Sequence, residues 1–305
     1  MNVRRTQTES MNARQTPHAL GALATLRAEP TFARLLLGDF ISGIGDWFNT
    51  VAVLGLLLKL TGSPLAIGLS LVIRSAPRLL LAPIAGTLAD RAPRKVIIVT
   101  CDALSAPVAF SFLLVTDATR VWIVWVALTG LVILSSFRDP ARTGVIPALV
   151  RPEALAGANA LTGMSSGSVM LLGAAVGGVV AGWLGPRPAF IINGVSFAFC
   201  ALLILSVSIP HIKPTARRGL LALREAPEII RRSPALRILL ALAILWPVGG
   251  GASNMLLTIY GAQVFHDGDR GVGIFYAAVA LGCCSAGSSR RASHSGLRWR
   301  WQWPS

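Results

Sequence analysis

Charge is what this sequence has least of. Charged residues make up 13% of the chain, about half of the ~25% that a soluble globular domain carries. Hydrophobic residues make up 53%, and the mean hydropathy is +0.64. So few charges cannot cover a soluble surface, which excludes an ordinary soluble domain in favour of a membrane protein. Acidic residues are the scarcer sign: 13 Asp and Glu stand against 28 Lys and Arg, a net charge of +15. In a soluble chain that excess would point to nucleic acid. Here the basic residues fall between apolar segments, as loop charges at a membrane surface do. A lipid bilayer, and no nucleic acid, is the expected partner.

Patterns for catalysis and metal binding are also missing. The four cysteines (Cys101, Cys200, Cys283, Cys284) and four histidines (His18, His211, His266, His294) show no metal-ligand spacing and no Cys–His neighbours. The cysteines read as small apolar residues of membrane helices, and no metal or cofactor is expected. No H-E-x-x-H string and no P-loop occur, which excludes a zinc hydrolase of that type and a nucleotide-driven pump. No enzyme activity is expected. Residues 1–34 are polar and basic with no apolar core, so they do not form a cleavable signal peptide. They read as a disordered cytoplasmic arm.

What the chain does have is long apolar runs of about 20 residues or more, enough to span a bilayer as helices. They lie at 35–60, 64–88, 96–115, 121–137, 155–184, 189–209 and 236–263, with an eighth from about 271 to 286. The expected fold is an all-α polytopic membrane protein. The fifth run is long enough to include a cytoplasmic lead-in helix. With the N-terminus placed inside, 18 Lys and Arg fall on inner segments and four (Lys59, Arg120, Arg187, Arg270) on outer ones. That asymmetry is the positive-inside pattern. It counts Arg138 and Arg142 as loop charges after the fourth span.

These runs divide the chain. Residues 35–209 form a six-helix transmembrane domain, 210–235 a basic linker, 236–286 the start of a second transmembrane domain, and 287–305 a tail rich in Arg, Trp and Ser. The linker is partly amphipathic, so it also fits a helix lying on the inner membrane surface. Apolar periodicity stops abruptly at Cys283. Truncation or a frameshift near residue 282 is the expectation, and a Trp–Arg tail that binds lipid interfaces is the competing one.

Four ionisable residues fall inside the first two spans: Asp39, Asp46, Arg74 and Arg78. Each costs at least about 2.5–3.5 kcal/mol at the bilayer centre if unpaired, so each should face an interior or a watery cavity. Asp39 and Asp46 are seven apart and share one helix face. Arg74 and Arg78 are four apart and share another. At ~1.5 Å rise per residue, antiparallel helices place Asp46 level with Arg74 and Asp39 level with Arg78. The sequence therefore permits two depth-matched Asp–Arg pairs, and depth alone does not say whether their faces meet. Asp46 reads either as a proton carrier or as half of a static pair that fixes helix packing.

The most specific string is Gly86-Thr87-Leu88-Ala89-Asp90-Arg91-Ala92-Pro93-Arg94-Lys95, between the second and third runs. It resembles G-x-L-a-D-r-x-x-R-[RK], the signature loop of the major facilitator superfamily. The resemblance implies that fold: two six-helix halves, each of three-plus-three inverted repeats, here one half plus helix 7 and a partial helix 8. It implies that Asp90 helps hold an inner gate shut. Gly86 reads as a close-approach glycine. Arg91, Arg94 and Lys95 read as partners for carboxylates or lipid phosphates, with Asp102 as one candidate. Pro93 stands where the family usually has Gly.

Further strings resemble the exporter branch that includes enterobactin exporters and macrolide-efflux-type permeases. They are Ile41-Ser42-Gly43-Ile44-Gly45-Asp46-Trp47-Phe48 and Arg138-Asp139-Pro140-Ala141-Arg142. In the fifth run, Gly173, Gly177 and Gly178 resemble the G-P-x-x-G-G of drug antiporters, with Ala174 in place of Pro. Generic small-residue packing accounts for them equally well. The function these resemblances imply is proton-coupled efflux of an amphipathic small molecule, drug-like or siderophore-like, across a bacterial inner membrane. A non-transporting membrane fragment and an accessory membrane subunit are the alternatives.

Overall fold

The computed structural model describes residues 22–209 and 228–242, together with positions 245, 249, 256, 260, 274 and 278. A short helix α1 (Ala22–Ala28) leads into six long ones: α2 (Pro30–Thr61), α3 (Pro64–Arg91), α4 (Arg94–Ser111), α5 (Val121–Leu149), α6 (Leu155–Leu184) and α7 (Pro186–Leu205). All six are long and apolar enough to cross a membrane. Residues 228–232 and 234–242 are also helical. The tail, most of the linker and most of the expected seventh and eighth spans lie outside the described residues.

Local chemistry sets the helix ends. Gly62 takes a left-handed φ of 62°, and its N–H bonds back to Leu58 O at 2.8 Å. Glycine adopts that conformation without a Cβ penalty, which stops α2. Pro64 then opens α3 at a position where its missing N–H costs nothing. A turn this short makes α2 and α3 antiparallel. At the opposite end, Ala92 is extended because Pro93 follows it, and α4 begins at once.

The fourth spanning helix departs from the expected bounds. The charged run after Phe137 was expected to be loop, yet α5 continues through Pro140 and Pro147 to Leu149. The reason is electrostatic. The charges that would have ended a membrane span are paired inside the protein, as shown below.

Packing follows a simple scheme. α2 packs most extensively on α6 and α7, α5 packs on α3 and α4, and α4 packs on α7. Exchanging the first three spans for the last three (α2 with α5, α3 with α6, α4 with α7) leaves that scheme unchanged. This is the contact signature of two three-helix repeats. An odd number of spans per repeat makes the second inverted relative to the first.

Two apolar clusters close the ends of the bundle. One, at the Pro93 end, gathers Phe32, Leu35, Ile98, Val145 and Ile204. The other, at the Gly62 end, gathers Phe48, Leu57, Phe112, Val124 and Phe190. In the second, the Phe112 and Phe190 rings stack with centroids 5.2 Å apart. Apolar side chains such as Leu80, Trp183 and Leu202 face outward, as lipid-facing surfaces do. α3 is the least buried span.

Candidate functional site

Polar residues concentrate between the two apolar clusters, around one buried guanidinium. Arg138 on α5 has a side chain only 9% exposed. Each of its nitrogens faces a different carboxylate. Nη1 bonds Asp102 Oδ1 on α4 at 3.1 Å, Nη2 lies 3.8 Å from Asp46 Oδ2 on α2, and Nε lies 3.4 Å from Asp139 Oδ1. The 3.1 Å contact is a charge-assisted hydrogen bond, whereas 3.8 Å is an ion pair too long for one. The Phe197 ring on α7 covers the guanidinium, with its centroid 5.5 Å from the carbon, a cation–π distance.

The three carboxylates differ in exposure. Asp102 is fully buried, while the Asp46 side chain is 36% exposed and that of Asp139 48%. Asp139 also pairs with Arg78 on α3 at 3.5 Å, and Arg78 donates to Ser135 Oγ at 3.2 Å. Arg74 donates to Thr50 Oγ1 at 2.8 Å, and the Thr50 hydroxyl donates to the Asp46 carbonyl at 2.6 Å. Toward the Pro93 end, Arg142 pairs with Asp39, and its Nη2 lies 3.8 Å from Cys200 Sγ.

This corrects the expected pairing. Asp46 and Asp39 were matched by depth to Arg74 and Arg78. Their ion pairs are instead with Arg138 and Arg142, because α3 packs on α5 and the α5 arginines reach α2. Arg138 and Arg142, read from sequence as loop charges, are the cations at the centre of the bundle. Two signals pointed that way. They are four apart, on one helix face, like the Asp39/Asp46 face opposite them. Asp102 also sits inside an otherwise apolar third span and needs a cation.

The loop at Gly86–Lys95 is organised by backbone carbonyls as well as carboxylates. Asp90, in the last turn of α3, and Arg94, the first residue of α4, pair at 3.4 Å across the turn between the two helices. Arg94 also donates to the carbonyls of Gly144, through Nη1, and Ala89, at 3.2 Å. Lys95 Nζ donates to Leu205 O and Val207 O, both at 2.8 Å. It thereby satisfies carbonyls left open at the end of α7. Arg91 is exposed. Asp102 is not a partner of this loop, since Arg138 holds it. Nor is Gly86 a close-approach glycine among the described residues: nothing lies within 4 Å of where its Cβ would be. That role falls to Gly144, where a Cβ would meet the Arg94 guanidinium.

The α6 glycines face α2. A Cβ on Gly173 would lie 2.6 Å from Trp47 Cβ, and one on Gly177 would lie 3.1 Å from Phe48 Cα. Gly178 is buried on the same helix. The string Gly163-Met164-Ser165-Ser166-Gly167 has G-x-S-x-G spacing, but it lies within a continuous helix. A hydrolase nucleophile needs that string on a strand-to-helix turn. Among the described residues no cluster of His, Cys, Asp and Glu could hold a metal.

The sequence profile described as Major Facilitator Superfamily matches residues 35–301. The chain belongs to that superfamily. A superfamily member is a multi-pass membrane transport protein and not an enzyme, and six apolar helices fit that fold. The MFS-type transporter YfiS of Bacillus subtilis, itself uncharacterized, is 27% identical over 237 residues, covering 74% of this chain and 55% of that protein. The uncharacterized MFS-type transporter y4rN of Sinorhizobium fredii is 26% identical over 292 residues, 88% of this chain and 70% of that protein. Multidrug resistance protein MdtG of Enterobacter lignolyticus is 30% identical over 183 residues, 59% of this chain and 42% of that protein. The chain thus spans about half the length of YfiS and less than half of MdtG.

Proposed function

We propose that this superfamily chain takes part in proton-coupled efflux of an amphipathic small molecule by alternating access, with its N-terminus on the cytoplasmic side of a bacterial inner membrane. The observation that carries the reading is Asp46. It is a carboxylate inside a spanning helix, partly exposed, within ion-pair reach of a buried arginine. Such a group can take a proton from an open cavity and give up its arginine as it does so. The drug-like class of substrate is supported by the resemblance to a multidrug resistance protein and by the scarcity of formal charge along the chain.

In this reading the Gly86–Lys95 loop is the inner gate. Asp90 and Arg94 tie α3 to the start of α4, while Arg94 and Lys95 tie that turn to α5 and α7. The glycines Gly173 and Gly177 let α6 ride close on α2. A second reading is an accessory membrane subunit that acts only beside another polypeptide.

Ethidium accumulation in cells separates these. The expected result is lower accumulation with the wild-type chain, reversed by a protonophore, and no lowering with Asp46→Asn. Wild-type cells that accumulate as much dye as empty cells would favour the second reading. An Asp46→Asn chain that still exports in a protonophore-sensitive way would rule out Asp46 as the carrier.

A further inference from the structure

Arg138 is one cation facing three carboxylates, and it binds them unequally. Its tightest contact, 3.1 Å, is to Asp102, and the contact to Asp46 is 3.8 Å. Asp102 lies on α4 and is wholly enclosed, so it cannot reach a cavity itself. Arg138 bonds only Oδ1 of Asp102; the buried Oδ2 takes no bond from the guanidinium and has the Cys200 thiol as a weak-donor neighbour, which leaves acceptor capacity for a guanidinium. Asp46 and Asp102 hold different ends of that guanidinium, Nη2 and Nη1. A small tilt of the planar group strengthens one contact at the expense of the other.

We propose that Asp102 is a positioning residue, a buried holding site that retains the Arg138 guanidinium when Asp46 is protonated and lets it lean back when Asp46 is ionised. The step is simple proton binding: Asp46 carboxylate gains a proton and becomes neutral, and Arg138 stays charged because Asp102 and Asp139 still balance it. Without such a site, protonating Asp46 would leave the buried cation to rely on Asp139, which Arg78 also claims. An uncompensated buried charge is strongly unfavourable. Asp102 therefore makes loss of the Asp46 pair tolerable, and so makes Asp46 easier to protonate. The inference rests on the reading of Asp46 as a proton-accepting group.

The charged and titratable groups around Asp46 come from every helix that borders the network. α2 supplies Asp39, α3 Arg74 and Arg78, α4 Cys101 and Asp102, α5 Arg138, Asp139 and Arg142, and α7 Cys200, while α6 has no charged residue. Asp39 and Arg142 neutralise each other, and Asp139 has Arg78. Among the described carboxylates around Asp46, Asp102 has its ion pair with Arg138, the same cation that pairs with Asp46, so its removal is felt at Asp46 chiefly through Arg138.

The test follows protonation of Asp46 in the purified 305-residue chain. Dicyclohexylcarbodiimide reacts with protonated carboxyl groups in apolar surroundings, and peptide mass spectrometry locates the adduct. The midpoint pH of Asp46 labelling is expected to fall by about one pH unit in Asp102→Asn, as Arg138 turns wholly to Asp46. Arg138 keeps Asp46 and Asp139 in that variant, so it is not left unpaired. Asp102→Ser, with a hydroxyl at the same place, is a second neutral variant with the same expected fall. Asp139→Asn is expected to move the midpoint less.

An unmoved midpoint in the neutral Asp102 variants, or an equal movement in Asp139→Asn, would overturn the inference, since a purely structural Asp102 would not retune a neighbour. Labelling of Asp46 at no pH would instead overturn the proton-carrier reading beneath it. A shifted midpoint without dye efflux would count against efflux alone.

Discussion

The first three spans and the last three pack alike and carry opposite chemistry. α2 and α5 occupy equivalent places in the repeat, yet α2 brings Asp39 and Asp46 while α5 brings Arg138 and Arg142. α4 adds a buried carboxylate, Asp102, whereas its counterpart α7 adds the Phe197 ring and Cys200 over the arginines. α3 carries Arg74 and Arg78, whereas its counterpart α6 has no charge and presents glycines to α2. The comparison teaches that the repeat supplies geometry and its divergence supplies function. Two copies with the same charges would repel where α2 meets α5. Complementary ones give a paired centre between two apolar ends.

Removing the shared cation should break the comparison most. Arg138→Gln leaves fully buried Asp102 without its cation, and a cost of about 3–5 kcal/mol is expected. Thermal unfolding in detergent measures it. Adding Asp102→Asn to that variant should recover part of the loss, because the two positions are directly coupled. Additive losses would show that the pair does not hold the halves together.

Next come the glycines that let α6 and α7 approach α2. Gly173→Ala places a methyl group 2.6 Å from Trp47 Cβ, and Gly45→Ala places one 3.1 Å from Asn193 Cα. Trp47 Cβ and Asn193 Cα are fixed to their backbones, and at Gly45 the Ser196 hydroxyl and the Asn193 amide would also have to turn aside, so helix shifts costing about 1–3 kcal/mol are expected. Gly144→Ala should cost less, because what it meets is the movable end of Arg94. Equal losses at all three would mean that packing on α2 is not specially tight.

A smaller effect is expected at the loop. Lys95→Ala frees two carbonyls at the end of α7, and about 1 kcal/mol of stability should be lost. Hydrogen exchange should rise locally around 205–207 rather than throughout the bundle.

The smallest effect lies at the turn between α4 and α5. Hydrogen bonds from Thr119 and Thr116 hold the exposed Asp117 carboxyl below its ordinary value. A lowered folded-state value stabilises above the ordinary carboxylate range, and the contribution fades as pH falls through the lowered value. The small stability gap between wild type and Asp117→Asn should therefore be present at neutral pH and close on acidification. A gap that widens instead would contradict the assignment.

Much of the architecture was legible in the residues. Spans expected at 35–60, 64–88 and 155–184 correspond to α2, α3 and α6, because apolar length alone marks a bilayer crossing. The fourth span was cut short at Phe137, because Arg138, Asp139 and Arg142 look like loop when read singly. Hydropathy weighs each charge by itself, whereas the fold neutralises them in pairs drawn from helices more than 35 residues apart. For the same reason Asp39 and Asp46 were legible as interior groups and their partners were not. Depth along a helix follows from counting residues. Which helix faces which depends on the repeat, and the repeat shows only in the contacts.

In the proposed reading Asp46 carries the proton and Arg138 answers to it. Ethidium movement in proteoliposomes of the purified chain, driven by an imposed pH gradient, tests it most directly. Gradient-dependent movement is expected of the wild-type chain and none of Asp46→Asn, with Asp39→Asn retaining part of the flux. Gradient-driven flux that survives Asp46→Asn unchanged would contradict it.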